Sequence, residues 1–311
     1  MKKTLLTKAD LEVTQIGLGT NAVGGHNLFT NLDEKNGKNL VRKALDLGIT
    51  FIDTADVYGF GRSEELVGEV IKPHRSELKI ATKGAVEKLN NGTTRINNKP
   101  EYLRVAVERS LKRLQTDYID LYYLHYPDNE TPLIEAIGEL SRLKEEGKIG
   151  SIGISNVNLS QLKEANKHNN IDVIQSPYNM LERSAENDLL PYTREHNISF
   201  VPYGPLAFGI LGGKYTSSLN LPDGDWRKGE PLFQPEMFLN TLNKVEKLKD
   251  IAISKGASLS NLALAWLLAQ EGIDTVIPGG KRADQVKENI KADSLTLLSQ
   301  DLAKIEKILA E

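Results

Sequence analysis

The chain reads as an α/β protein, a closed (β/α)8 barrel in one domain spanning residues 1–311. Two observations carry that reading. Eight short apolar runs alternate with helix-period segments almost from end to end, the pattern of a parallel sheet wrapped in helices. Several of the runs are nearly continuously apolar, as strands covered on both faces must be. A doubly wound open sheet is the rival, but it usually carries fewer strands and would place G-x-G-x-x-G after one of them. Here Gly17, Gly19 and Gly24 are spaced G-x-G-x-x-x-x-G, and Gly59-Phe60-Gly61 has no third glycine in register.

Taken in order, residues 2–14 predict an N-terminal β-hairpin, Lys3–Leu6 against Leu11–Val13, turned at Lys8-Ala9-Asp10. Strands are expected at 14–20, 50–55, 78–83, 118–125, 149–155, 172–177, 198–204 and 274–278. Between them Leu40, Ala44 and Leu47 recur at helical spacing, and Ser63 can cap a helix that Pro73 ends. Leu103, Val107, Leu111 and Leu114 mark the next helix. Leu133, Ile137 and Leu140 mark another, stopped by Gly147. Residues 207–237 are polar and rich in glycine and proline, too long for an ordinary connection, and are expected to act as a lid. Two additional helices are expected over 238–271, and Leu302, Ile305 and Leu309 line one face of a last one. No linker or repeat divides the chain.

Composition narrows the function. The net charge of −3 lacks the basic excess that nucleic acid binding needs. There are no cysteines, so thiolate nucleophiles and Cys-ligated metals are excluded. The five histidines, His26, His74, His125, His168 and His196, form no ligand pattern, which argues against a metal-dependent barrel hydrolase. No apolar run approaches the roughly 20 residues of a membrane span, and Met1-Lys2-Lys3 precedes too short a run for a signal-peptide core. A cytoplasmic location is the expectation.

Four residues stand out. Asp53 and Tyr58 follow the run at 49–52, Lys83 closes 78–82, and His125 closes 118–124. Singly, each has a plain reading: Asp53-Thr54 a cap, Tyr58 a packing aromatic, Lys83 a solvated strand end. In a barrel, however, neighbouring parallel strands deliver their C-terminal residues to one rim, where chemistry is placed. A carboxylate, a phenol, an ammonium and an imidazole converging there make a proton-donating site.

These residues lie in segments that resemble the aldo-keto reductases, in the manner of a bacterial member. Asp53-Thr54-Ala55-Asp56-Val57-Tyr58-Gly59 resembles the family's D-T-A-x-x-Y-G signature. Ile80-Ala81-Thr82-Lys83, Asp120-Leu121-Tyr122-Tyr123-Leu124-His125, Gly150–Asn156, Gln175–Asn179, Pro202–Leu206 and Ile277-Pro278-Gly279 follow in order. The resemblance extends from about Val13 to Asn289. It implies NADPH-dependent reduction of aldehyde or ketone carbonyls, with Tyr58 as proton donor. Lys83 would lower the pKa of that phenol, Asp53 would orient Lys83, and His125 would hydrogen-bond the carbonyl oxygen and the phenol. A histidine at 125, where double-bond reductases of the family carry a carboxylic acid, points to carbonyl reduction.

Cofactor contacts carry over in the same way. Ser155, Asn156 and Gln175 are implied to hold the nicotinamide carboxamide, and Tyr203 to stack on the ring. Pro205, Leu206, Gly209, Gly212 and Gly213 suit close approach to a pyrophosphate, with Lys214 as a charge contact. After the last strand, Gly279 leads through Gly280 to Lys281 and Arg282 at a helix start near Ala283, a place for a ribose 2′-phosphate. Gln285 and Asn289 resemble adenine-side contacts. Gly204 stands where many members have serine, and the long C-terminal loop of the animal enzymes is not evident. Substrate selection is expected from Ala22, Val23, Phe29, Tyr126 and the 207–237 segment. The competing reading is a nicotinamide-nucleotide-binding redox sensor with slow turnover, like the potassium-channel β subunits of the same fold.

Overall fold

The computed structural model describes residues 1–311. Eleven strands occur: β1 (Lys3–Leu6), β2 (Leu11–Thr14), β3 (Leu18–Gly19), β4 (Phe51–Asp53), β5 (Lys79–Gly84), β6 (Val86–Lys88), β7 (Thr94–Ile96), β8 (Ile119–Leu124), β9 (Ile149–Ser155), β10 (Val173–Pro177) and β11 (Ser199–Tyr203). The α-helices are α1 (Asn21–Gly24), α2 (Glu34–Asp46), α3 (Arg62–Ile71), α4 (Pro100–Leu114), α5 (Leu133–Glu145) and α6 (Leu159–Ala165). They continue with α7 (Leu189–Glu195), α8 (Pro235–Ser254), α9 (Leu259–Leu268), α10 (Ala283–Asn289) and α11 (Ser299–Leu309).

Seven strands form one parallel sheet in the order β11-β10-β9-β8-β5-β4-β3. The expected eighth strand makes no ladder. Its segment instead touches both sheet edges through isolated parallel bridges, Ile273 with Phe200 on one side and Val276 with Ile16 and Gly279 with Gly19 on the other. The sheet therefore curls toward closure as an α/β barrel, with its seam held by single bridges. β1 and β2 pair antiparallel, from Lys3 opposite Thr14 to Leu6 opposite Leu11, with Asp10 left-handed at φ 49° in the turn.

Strand alternation sorts two cores. Ile52, Ile80, Tyr122, Ile174 and Phe200 face the helices. Phe51, Ala81, Leu121, Tyr123, Val173, Val201 and Ile277 face inward and pack with Leu6, Leu11 and Val13, so the N-terminal hairpin plugs one end of the sheet's interior. Both faces being apolar explains the near-continuous apolar runs.

Two local expectations change. Ser63 does not cap α3: Gly61 occupies the cap position, while the Ser63 hydroxyl donates inward to the Thr20 carbonyl at 3.0 Å. A second hairpin, β6 with β7, was not anticipated, although Asn91-Gly92 is a turn signal, with Gly92 at φ 85°. Residues 207–237, the expected lid, carry three short 3₁₀ turns, with Phe208 edge-on to Trp226 at 4.8 Å and Arg227 paired to Asp225. No single helix is long and apolar enough to cross a membrane.

Candidate active site

The same alternation builds the site. Two residues beyond an inward-facing core residue, each strand presents its next inward position at the C-terminal rim: Phe51 leads to Asp53, Ala81 to Lys83, Tyr123 to His125, Val173 to Gln175 and Val201 to Tyr203. Parallel pairing puts β4 beside β5, β5 beside β8 and β10 beside β11. The polar groups thus replace apolar ones where the interior ends.

At the centre is a buried ion pair. Lys83 is 0% exposed and Asp53 2%. Lys83 Nζ donates to Asp53 Oδ1 at 2.5 Å and to the Thr54 carbonyl at 2.8 Å. Gln175 Nε2 donates to the other Asp53 oxygen at 2.9 Å. Charges so deeply buried persist only when paired and hydrogen-bonded, and here each oxygen of Asp53 has a partner. Gln175 therefore serves the carboxylate through its amide nitrogen.

Tyr58 reaches the site from the turn after β4. Lys83 Nζ lies 5.5 Å from the centroid of its ring, and His125 meets the ring edge-to-face at 6.3 Å. The ammonium hydrogen bonds go to Asp53 and Thr54, not to the phenol. Burial, followed by the charge of Asp53, pushes the Tyr58 phenol well above its ordinary value. This corrects the expected lowering by Lys83, whose charge is neutralised by the carboxylate beside it. His125 also makes no hydrogen bond to the phenol. Burial, then the Lys83 charge, holds its imidazole well below the ordinary value, so the ring is neutral. Its Nδ1 is buried without a partner, as suits a group reserved for a ligand-facing task. Tyr126 stacks on it at 4.4 Å.

The expected nicotinamide-side residues form one network with this centre. Asn156, left-handed at φ 56° just past β9, donates from Nδ2 to the His125 carbonyl at 2.9 Å and to Ser155 Oγ at 3.1 Å. Its Oδ1 accepts from the Tyr203 hydroxyl at 3.0 Å. The ring of Tyr203 is thereby fixed beside the same rim.

Beyond Pro205 and Leu206 the backbone enters three successive positive-φ residues, Ala207 at 46°, Phe208 at 54° and Gly209 at 102°. Within this run the Ala207 and Gly209 N–H groups donate to the Gly204 and Leu206 carbonyls, each at 2.9 Å. Only glycine fits at 209, where a Cβ would lie 2.6 Å from the Tyr215 hydroxyl. Gly212 and exposed Lys214 follow, and Lys214 lies close enough to Asp284 and Glu288 for its charge to be felt there.

The phosphate-side loop is shaped by Gln285, whose Oε1 accepts from the backbone N–H of Lys281 at 2.8 Å and of Arg282 at 3.1 Å. Gln285 thus braces this loop, while Asn289 is buried at the end of α10. Gly279 sits against Gly19 in the seam. Lys281 and Arg282 differ. Arg282 is held by Asp284 through two 3.0 Å bonds, whereas Lys281 Nζ lies 4.6 Å over the Phe29 ring. Arg227 was missed by sequence reasoning. It adds charge near Lys281 and is locked by Asp225 and the Tyr215 hydroxyl. Only its position in a long glycine-rich segment hinted at it. Of the residues expected to select substrate, Val23 is instead part of the helix-side core.

The arrangement offers a neutral imidazole, a protonated phenol and a compensated ammonium in one cleft, beside a tight positive-φ turn and a basic loop. It fits a phosphorylated nucleotide cofactor and a substrate that accepts a proton.

Known proteins resemble this chain in sequence and fold. The profile of the Aldo/keto reductase family matches residues 15–310. The chain is 39% identical over 312 residues to the aldo-keto reductase YhdN of Bacillus subtilis, covering 99% of this chain and 94% of the relative. It is 37% identical over 286 residues to yakc of Schizosaccharomyces pombe, an aldo-keto reductase designated for NADP(+), covering 90% and 84%. It is 34% identical over 315 residues to the NADH-specific methylglyoxal reductase of Escherichia coli, covering 97% and 96%. Among solved structures, the glycerol dehydrogenase AKR11B4 of Gluconobacter oxydans superposes with a TM-score of 0.91 at 32% identity, over 99% of this chain and 95% of that one.

Proposed function

The chain belongs to the aldo/keto reductase family, oxidoreductases of carbonyl groups, and we propose that it reduces aldehydes or ketones to alcohols with NADPH, Tyr58 donating the proton. The observation that carries this reading is the convergence of Tyr58, His125 and the buried Lys83–Asp53 pair at one rim. Bound NADPH would supply the hydride. Tyr203, Asn156 and Ser155 would hold its nicotinamide end, with Gln175 reaching it only through the amide oxygen left free by Asp53. The turn from Pro205 to Gly212, with Lys214, would hold the pyrophosphate. Gly279, Lys281 and Arg282 would hold the 2′-phosphate, braced by Gln285 and with Asn289 behind.

The chain's own groups do the remaining work. Neutral His125 donates a hydrogen bond to the carbonyl oxygen, polarising it without releasing a full charge into the cleft. Tyr58, protonated throughout the neutral range, delivers its proton as negative charge grows on that oxygen. Lys83, held by Asp53 and Thr54, lies 5.5 Å from the centroid of the Tyr58 ring and fixes the carboxylate that keeps the phenol protonated until then.

The named cofactors of the relatives, NADP(+) for one and NADH for another, leave the choice to the loop. Lys281 and Arg282 favour the 2′-phosphate. Steady-state turnover of diverse carbonyls, including methylglyoxal, pyridoxal and aromatic aldehydes, with NADPH and with NADH tests the reading. Saturable multiple turnover with NADPH supports it. Tight NADPH binding without multiple turnover would instead favour the redox sensor.

A further inference from the structure

Tyr58 is the proposed acid, yet no strand holds it. It begins a short turn whose next three residues all have positive φ: Gly59 at 62°, Phe60 at 53° and Gly61 at 98°. A turn with a bulky phenylalanine in the left-handed region is strained and keeps its shape only where its surroundings hold it. The segment from the end of α1 to the start of α2 supplies that hold. Asn27 Oδ1 accepts the Gly59 backbone N–H at 2.7 Å. Gly24 presses its carbonyl so close that a Cβ on Gly59 would lie 2.0 Å from it. Past the turn, Arg62 is gripped by both oxygens of Glu34, at 2.8 and 2.7 Å. Of these contacts, the Asn27 bond is the one made by a side chain to the turn itself, one residue from the phenol.

We propose that Asn27 is a positioning residue for Tyr58: by accepting the Gly59 N–H it fixes the left-handed turn that aims the phenol at the rim shared with His125 and Lys83. The proposal rests on the carbonyl reductase reading. Without the acceptor the Gly59 N–H loses its partner, the turn relaxes, and the phenol drifts from the carbonyl oxygen while the cofactor residues on the opposite strands stay in place.

Two substitutions separate the acceptor from the shape of the loop. Asn27→Leu keeps the size and removes the acceptor; Asn27→Asp keeps an acceptor oxygen. Asn27→Leu should lower kcat by about 10- to 100-fold, with NADPH affinity and carbonyl KM within about two-fold of wild type, because misplacement by about an ångström costs on that order. Asn27→Asp should keep kcat near wild type. Hydrogen exchange of the NADPH-bound protein gives a readout independent of activity: the Gly59 amide should exchange faster in Asn27→Leu and remain protected in wild type and Asn27→Asp. Unchanged kcat in Asn27→Leu, equal losses in both variants, or an unaltered Gly59 exchange rate overturns the proposal. A wild type that reduces no carbonyl would fail the functional reading itself, a result distinct from an active wild type indifferent to Asn27.

Discussion

Removing the charge of Asp53 while keeping its shape tests the centre of the site. In Asp53→Asn, the amide oxygen can still serve Gln175 or Lys83, but the ammonium of Lys83 loses its counter-ion in a place with no solvent exposure. Breaking a buried pair from one side costs about 3–5 kcal/mol. For 311 residues, an unfolding entropy of about 2.1 cal/mol/K per residue converts the pair loss into a Tm decrease of about 5–8 °C. Calorimetry at pH 7 is the assay. A Tm within about 2 °C of wild type at pH 7 would mean that the pair is compensated elsewhere, since that is under half the shift expected from a broken buried pair.

Tyr58→Phe should leave NADPH affinity nearly unchanged in fluorescence titration and lower kcat by roughly 10²–10⁴, the usual share of a positioned acid; a kcat close to wild type would remove Tyr58 from its role. Lys281→Ala should weaken NADPH by about ten-fold or more and spare NADH, whereas Arg282→Ala should do less, because Asp284 already engages its guanidinium. Equal losses for the two cofactors would show that the residues only shape the loop. Asp56 is buried with Oδ1 unpartnered, and burial followed by the Glu64 charge raises its carboxyl well above the ordinary value. A raised native pKa stabilises fully below the unfolded value near 3.9 and loses that contribution as pH rises through the native value. Asp56→Asn, a fixed mimic of the neutral acid, should therefore match wild type near pH 4 and exceed it near pH 8 in urea denaturation. Parallel stability curves for the two proteins would show that Asp56 is ionised in the fold.

The positions of Asp53, Lys83 and His125 were legible because each ends or directly follows an apolar strand-like run, which in a parallel sheet brings it to the rim; Tyr203 was legible only through the family resemblance. Partners were less legible. Gln175 bonds Asp53 across 122 residues of sequence, and which polar group an amide meets depends on how strands assemble, not on the run that contains it. The same holds for Ser63, whose hydroxyl finds the Thr20 carbonyl instead of its own helix end, and for Arg227, which gains meaning only once its segment folds against Tyr215 and Lys281. The eighth strand was placed correctly along the chain but not in kind. Its segment contacts both edges at single residues, and local apolarity cannot distinguish a bridge from a ladder.

The electrostatics of the centre carry a consequence for the proposed reaction. Asp53 keeps Lys83 compensated, but its carboxylate also acts on Tyr58, adding to burial in favouring the protonated phenol. An acid so tuned gives little up to weak bases. It becomes a competent donor only when a strongly basic alkoxide develops against it, which ties release of the proton to arrival of the hydride. His125, neutral because it is buried beside Lys83, supports the same coupling, since it can polarise the carbonyl oxygen without competing as a stronger acid. In the reverse direction the phenolate would have to exist before alcohol oxidation begins, and burial together with Asp53 opposes exactly that ionisation. The charge arrangement therefore supports reduction near neutral pH and makes oxidation depend on rising pH.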